Sequence, residues 1–225
     1  MKLRIALAAL AIVSLALIAG CEPKVYFFSF KVEQDLTNAQ GAWIQESDYS
    51  AFNANGINIQ EGSIACPFRF SGDLTMTVRF HLNVSDPHEY YFGISLGDGT
   101  WYGSTENDLH VEVDQCGGPE ERYYIYDHDQ DENEYWHYDE SANLPGLNRD
   151  GLNTWVLTKV GRHITISVND TEFADFTLEE YNSKWFGPNL YSEWVDVKDF
   201  DYGFTIESIE VLYKGSASPM PVSLP

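Results

Sequence analysis

The chain has 225 residues, with 13 Lys and Arg against 35 Asp and Glu, and a formal net charge of −22. So acidic a surface repels nucleic-acid phosphates and anionic lipid headgroups and attracts cations, which excludes a nucleic-acid partner. Hydrophobic residues still make up 44% of the chain and aromatic residues 15%, enough to bury a sizeable core.

The first 20 residues, MKLRIALAALAIVSLALIAG, set Lys2 and Arg4 before an apolar run from Ile5 to Ala19. That run falls short of the roughly 20 residues of a membrane span and ends in small residues, the pattern of a secretory signal. Ile18, Ala19, Gly20 and Cys21 resemble the bacterial lipobox. The resemblance implies cleavage before Cys21, lipid on its thiol, and stable membrane anchoring through several acyl chains. Glu22 stands where inner-membrane retention is associated with aspartate, so the resemblance leans to the outer membrane and the cell envelope. Loss of residues 1–20 leaves 205 residues, a single-domain length, and removes Lys2 and Arg4 but no acid, taking the charge from −22 to −24. Residues 21–24 then form the lipidated cysteine and a short tether, and 25–213 the domain. The Ser- and Pro-bearing tail 214–225 is expected to be disordered. With Cys21 lipidated, Cys66 and Cys116 remain as an even pair, and an oxidising compartment predicts a disulfide between them.

Along the domain, KVYFFSFK reads as a first strand. In DLTMTVRFHLNV, residues 73 to 84, Leu74, Met76, Val78, Phe80, Leu82 and Val84 alternate with polar residues, the period-two signature of a strand with one buried face. HEYYFGISL, DLHVEVDQC, RYYIYDH, EYWHY, NTWVLTKV, RHITISVN, TEFADF and FTIESIEVLY follow as further strands. Gly97-Asp98-Gly99, Gly117-Gly118-Pro119, Gly161 and Asn169-Asp170 serve as turns between them. No segment has sustained helical periodicity, and no linker or internal repeat interrupts the series. Many short strands with tight turns predict one all-β domain, an antiparallel β-sandwich or barrel.

Residues 153 to 173, NTWVLTKVGRHITISVNDTEF, resemble the hairpin of concanavalin A-like lectin and glucanase domains, including laminin G-type and laminarinase-type members. SGDLTMTVRF and GFTIESIEVLY resemble early and final strands of the same superfamily. The resemblance implies a single-domain concanavalin A-like jelly roll, with ligands bound on the concave side of one sheet.

On DLHVEVDQC, Leu109, Val111 and Val113 share one face, and His110, Glu112 and Asp114 share the other. Residues two apart on a strand are about 6.6 to 7 Å apart, compatible with the roughly 5 to 9 Å between the carboxylates of glycosidases. Laminarinase-type enzymes carry E-x-D-x-E or E-x-D-x-x-E. Glu112 and Asp114 match the first two positions, whereas the acid/base position falls on Cys116 or Gly117. Glu120 and Glu121 lie beyond the Gly-Gly-Pro turn, at no spacing the family uses. The polar face therefore suits binding better than catalysis: its carboxylates accept hydrogen bonds from sugar hydroxyls, and Trp101 and Tyr102 of GDGTWYGS, with the rings around Tyr124, Tyr126 and Trp136, offer stacking surfaces. Any single ring in so aromatic a sandwich is as readily a core residue.

YDHDQDENEYW, residues 126 to 136, places Asp127, Asp129, Asp131 and Asn133 in one phase, a pattern superficially like a calcium loop. Glu132 and Tyr138 stand where an EF-hand needs Gly and Glu, so it is no EF-hand. The alternatives are a looser calcium site or a solvated acidic hairpin tip. The leading expectation is an envelope lipoprotein whose sandwich binds a glycan or other surface ligand and requires no cofactor. Beside it stand a laminarinase-like glycoside hydrolase using Glu112 and Asp114, and a non-catalytic structural or adhesive protein.

Overall fold

The computed structural model describes residues 22–31, 43–83, 90–99, 107–114, 121–129, 131, 133–194 and 203–221. These residues form fifteen strands: β1 (Lys24–Ser29), β2 (Ile44–Asn53), β3 (Gly56–Ala65), β4 (Phe68–Ser71), β5 (Leu74–Asn83), β6 (Tyr90–Gly97), β7 (Asp108–Asp114), β8 (Arg122–His128), β9 (Glu134–Glu140), β10 (Asp150–Val160), β11 (His163–Val168), β12 (Thr171–Thr177), β13 (Trp185–Trp194), β14 (Gly203–Tyr213) and β15 (Ala217–Pro219). All described pairings are antiparallel. The hydrogen-bonded order is β12-β11-β10-β5-β14-β3-β13-β6-β7-β8-β9.

That order folds into two layers because β3 changes partner along its length. Residues 57–59 pair with β14, and residues 61–65 pair with β13. One layer is thus β12-β11-β10-β5-β14, and the other is β13-β6-β7-β8-β9. Their inner faces meet through aromatic contacts: Phe92 on β6 lies 5.7 Å from Phe80 on β5 and 5.0 Å from Phe204 on β14. Alternation makes each inner face. On β5, Leu74, Met76, Val78, Phe80 and Leu82 are buried while their polar neighbours are half-exposed. Leu109, Val111 and Val113 of β7 oppose them from the second layer, fully buried. Asn169 and Asp170 take positive φ of 49° and 63°, the left-handed pair of the tight turn that joins β11 to β12.

β13 carries Gly187-Pro188 in its interior, which reads as a breaker in sequence. Here the missing proline N–H falls where the partner of β13 changes, with Ala65 of β3 opposite Asn189 and Phe70 of β4 opposite Phe186. The Pro188 carbonyl still accepts from the Cys66 N–H at 2.8 Å. The tail departs from expectation. Instead of loosening beyond Tyr213, residues 217–219 form β15 against β4, and Met220 is buried.

The expected Cys66–Cys116 bridge is corrected: Cys66 is a free thiol, fully buried. It sits level with Pro188, and through Leu96 with Leu109 at the start of β7. Asp114, the last described residue before Cys116, lies five positions further along β7, on the order of 20 Å away across three strand spacings. The chain from Asp114 to Cys116 reaches at most about 7 Å. A disulfide needs Cα atoms roughly 4.4–6.8 Å apart, so the bridge is out of reach. Burial pushes the Cys66 thiol up to about 12, which leaves it inert. Cys116 itself lies outside the described residues.

Candidate functional site

The outer face of the β13-β6-β7-β8-β9 layer is polar and aromatic because each strand turns its alternate residues that way. Register aligns Tyr191 on β13 with Gly93 on β6, Gly93 with Glu112 on β7, Glu112 with Tyr124 on β8, and Tyr124 with Asp139 on β9. A neighbouring row runs from His110 on β7 through Tyr126 on β8 to Trp136 on β9. The structure therefore brings His110 and Glu112 together, as their shared face requires. Asp114 sits one pleat further on, opposite Tyr91 and Arg122. Trp101 and Tyr102 lie outside the described residues.

His110 is at the centre of this face and only 1% exposed. Its Nε2 lies 3.1 Å from Glu112 Oε2 and hydrogen-bonds with the Tyr191 hydroxyl, while its Nδ1 lies 3.5 Å from Asp108 Oδ2. The Tyr191 hydroxyl in turn donates to Glu112 Oε2 at 2.8 Å. Burial opposes a charge on His110, but the hydrogen bonds and charges of Asp108 and Glu112 outweigh it and raise the imidazole above its ordinary value. Burial first, and then the neighbouring Glu112 carboxylate, hold the Tyr191 phenol neutral well past its usual range. Tyr191 thus donates to the Glu112 carboxylate, and its hydroxyl also meets His110 Nε2.

Tyr191 reaches His110 and Glu112 because β6 has no side chain in between. A Cβ on Gly93 would lie 1.9 Å from the Tyr191 ring. The tyrosine thus lies flat over β6 and bonds to residues two strands away.

The result is an oriented carboxylate. Both named bonds go to Glu112 Oε2, the side chain is 23% exposed, and Oε1 has no hydrogen-bond partner among the described residues. Beside it runs an aromatic series: His110 stacks on Tyr126 at 4.6 Å, Tyr126 on Trp136 at 4.8 Å, and Tyr124 meets Trp136 edge-on at 5.9 Å. Trp136 is 49% exposed, and Arg122 lies over the Tyr124 ring and 2.9 Å from Asp139. The face thus offers an acceptor oxygen, a cation and a half-exposed indole within three adjacent strands. Sequence reasoning missed Tyr191, Gly93 and Asp108. Their roles come from cross-strand register, and β13 had no recognisable strand signal.

Of the two acids that follow Gly117-Gly118-Pro119 in sequence, Glu121 is not available as a proton donor to Glu112. It is buried, held by Arg149 through Nε at 3.0 Å and Nη2 at 2.5 Å, and accepts the Leu144 N–H at 2.6 Å. Glu120 lies outside the described residues.

In the acidic hairpin, the described carboxylates of Asp127 and Asp129 bond to backbone N–H groups. Asp127 points into the sandwich, fully buried, and accepts from the N–H groups of Glu179 at 2.8 Å, Glu180 at 2.7 Å and Tyr181 at 3.3 Å, with His137 Nε2 at 3.1 Å. Asp129 closes the turn, accepting from the N–H of Asp131 at 2.9 Å and of Asn133 at 3.1 Å. Asp127 and Asp129 therefore serve different backbone segments, and Asp129 alone of the two is bonded to Asp131 and Asn133. No group of three His, Cys, Asp or Glu side chains suited to a metal occurs among the described residues.

No protein-family model matches the chain, and no curated protein matches it. Among solved structures it is similar to a protein of unknown function with a galectin-like fold from Bacillus subtilis, with a TM-score of 0.57 and 11% identity over 88% of this chain and 98% of that one. It is also similar to the Crh5 transglycosylase in complex with NAG, with a TM-score of 0.53 and 10% identity over 86% of each chain. A third similarity is to the CBM2 module of the evolved Dit of Lactobacillus casei BL23 phage J-1, with a TM-score of 0.53 and 12% identity over 85% of this chain and 90% of that one. The class is thereby defined as an all-β, galectin-like antiparallel sandwich.

Proposed function

We propose that the protein binds carbohydrate across the outer face of the β13-β6-β7-β8-β9 layer. The observation that carries this reading is the partly exposed Glu112 carboxylate, oriented through Oε2, on the same face as the half-exposed Trp136. A sugar ring stacks its C–H face on an indole while its hydroxyls donate to a carboxylate, so the two groups address one ligand from two sides. Arg122 and Asp139 extend the polar rim. The similar structures include a transglycosylase in complex with NAG and a CBM2 module, in keeping with this reading.

The test is a glycan-binding screen of the purified protein, with and without calcium, scored for retention and for cleavage. Trp136→Ala and Glu112→Gln are each expected to weaken retention by about tenfold or more, the worth of one stacking contact or one charge-assisted hydrogen bond. Retention unchanged in both variants would reject the site. Cleavage of the glycan, abolished in Glu112→Gln, would replace binding by hydrolysis.

We propose further that Cys21 anchors this domain to the outer membrane. Supporting it are the Ile18-Ala19-Gly20-Cys21 pattern and the start of β1 at Lys24, three residues later. No helix among the described residues is long and apolar enough to cross a membrane. Cys21→Ser is expected to move the protein from the membrane fraction to the soluble one and to abolish lipid labelling. Retention of label in that variant would sink the anchor.

A further inference from the structure

A cavity of about 300 Å³ lies in the other layer, at the end of β5 and β14 next to the β2–β3 hairpin. His81 and Thr205, directly paired across β5 and β14, face outward into it, since their neighbours Phe80, Leu82, Phe204 and Ile206 fill the core. Asn53, Asn55, Asn83 and Asp150 complete its polar wall.

Thr205 is the informative residue. It is 4% exposed, and its Oγ1 accepts from Asn53 Nδ2 at 3.1 Å and from Asn58 Nδ2 at 2.9 Å. A hydroxyl has two acceptor positions and one proton. Both amides donate to Oγ1, which leaves its proton to donate. A ligand oxygen in the cavity is placed to accept that proton. The hairpin wall is preset: Asn53 Oδ1 accepts the Asn55 N–H at 2.8 Å, fixing the turn that presents the exposed Asn55.

The lining also decides the chemistry. Among the described residues it holds no Lys or Arg to balance an anion and one carboxylate, Asp150, too few for a chelated divalent cation. Amides and a hydroxyl dominate, alternating donors with acceptors as neighbouring sugar hydroxyls do. The volume is at the small end of ligand sites, about 300–1,000 Å³, which suits a single ring.

We propose that this cavity is a second ligand site, taking one neutral sugar ring, with the Thr205 hydroxyl donating to a ring substituent. It lies on the opposite layer from Glu112 and does not depend on the reading of that face. Two sites on opposite layers let one molecule bridge two glycan chains, with avidity beyond either site alone.

The experiment is an NMR titration of the purified protein with glucose, galactose, mannose and N-acetylglucosamine at millimolar concentrations. At least one sugar is expected to shift the resonances of His81, Asn55 and Thr205, with affinity about tenfold weaker in Thr205→Val, the worth of one hydrogen bond. Thr205→Val also removes the acceptor for two amides, so Asn55→Ala, at the exposed hairpin tip, provides a variant whose fold is not at risk. It too is expected to weaken binding, whereas Glu112→Gln is expected to leave these shifts unchanged. The proposal is overturned if none of the four sugars shifts these residues, if both cavity variants bind as the wild type does, or if the shifts vanish in Glu112→Gln.

Discussion

Replacing Asp127 by asparagine is expected to lower the stability of the fold by about 3–5 kcal/mol, the usual cost of removing one partner from a buried charged network. The carboxylate ties β8 to the segment after β12, because it accepts three successive N–H groups, those of Glu179, Glu180 and Tyr181, together with His137 Nε2. His137 is itself packed on Phe176 of β12 at 4.0 Å, so the polar clamp and the ring contact close the same corner of the sandwich. An amide of the same shape puts an NH2 group against donors that had an oxygen, leaving buried N–H groups unsatisfied. Urea melts at neutral pH measure the loss, and a difference below about 1 kcal/mol would show that this corner holds without the carboxylate.

The pH dependence has a definite sign. Burial tends to raise the Asp127 carboxyl, but the His137 hydrogen bond and the backbone donors of Glu180 and Glu179 outweigh it and lower the group below its ordinary value of 3.8. Its contribution is therefore full above the unfolded-state value and is lost as the pH falls through the lower folded-state value. The wild type should lose this increment in the acid limb below 3.8, and Asp127→Asn should not.

Gly93→Ala is expected to cost about 1–3 kcal/mol and to reduce glycan retention by tenfold or more, although it adds only one methyl group. That methyl would lie 1.9 to 2.1 Å from the Tyr191 ring and hydroxyl. With Tyr191 only 3% exposed, the ring has no free volume to move into without leaving His110 and Glu112. Displacing it removes the donor that orients Glu112 and strips a partner from the buried His110. Tyr191→Phe deletes the hydroxyl but keeps the ring, so it should share the loss of retention with a smaller loss of stability. Wild-type melting and retention in Gly93→Ala would show that the tyrosine does not organise this face.

Much of the architecture was legible in residue order. Period-two alternation located β5, β7, β8, β10 and β11, because each has one apolar face in the core and one polar face outside. β3 and β13 escaped for opposite physical reasons. GINIQEGSIA is buried at most positions, on both faces, because the strand passes from one layer to the other, so no alternation survives. WFGPNLYSEW contains a Gly-Pro pair that forbids most central strands, and it is tolerated here only where the partner strand changes. The tail read as loose from its Ser and Pro content, yet residues 217–219 find an open edge on β4.

The candidate face divides in the same way. That His110 and Glu112 share a face follows from their spacing on a strand, and that an acid/base position is unfilled follows from counting onward to Cys116 and Gly117. Cysteine parity suggested a disulfide, but parity carries no distance, and strand register puts the β7 end nearest Cys116 on the order of 20 Å from Cys66. Alternating acids suggested a calcium loop, but a carboxylate's partner depends on which backbone N–H groups arrive from elsewhere in the chain. Asp127 found its partners more than fifty residues away.

By itself, then, the order of residues determined the acidic surface, the all-β class, the strand faces and the lipobox-like Cys21, because each is a matter of composition or of spacing within one segment. Only the tertiary structure decided that Tyr191 crosses Gly93 to orient Glu112, that Glu121 is locked to Arg149, that Asp127 is a clamp, and that Thr205 opens into a cavity. Those depend on which strands lie side by side, and long-range pairing is set by the packing of the whole sandwich, which no local pattern encodes.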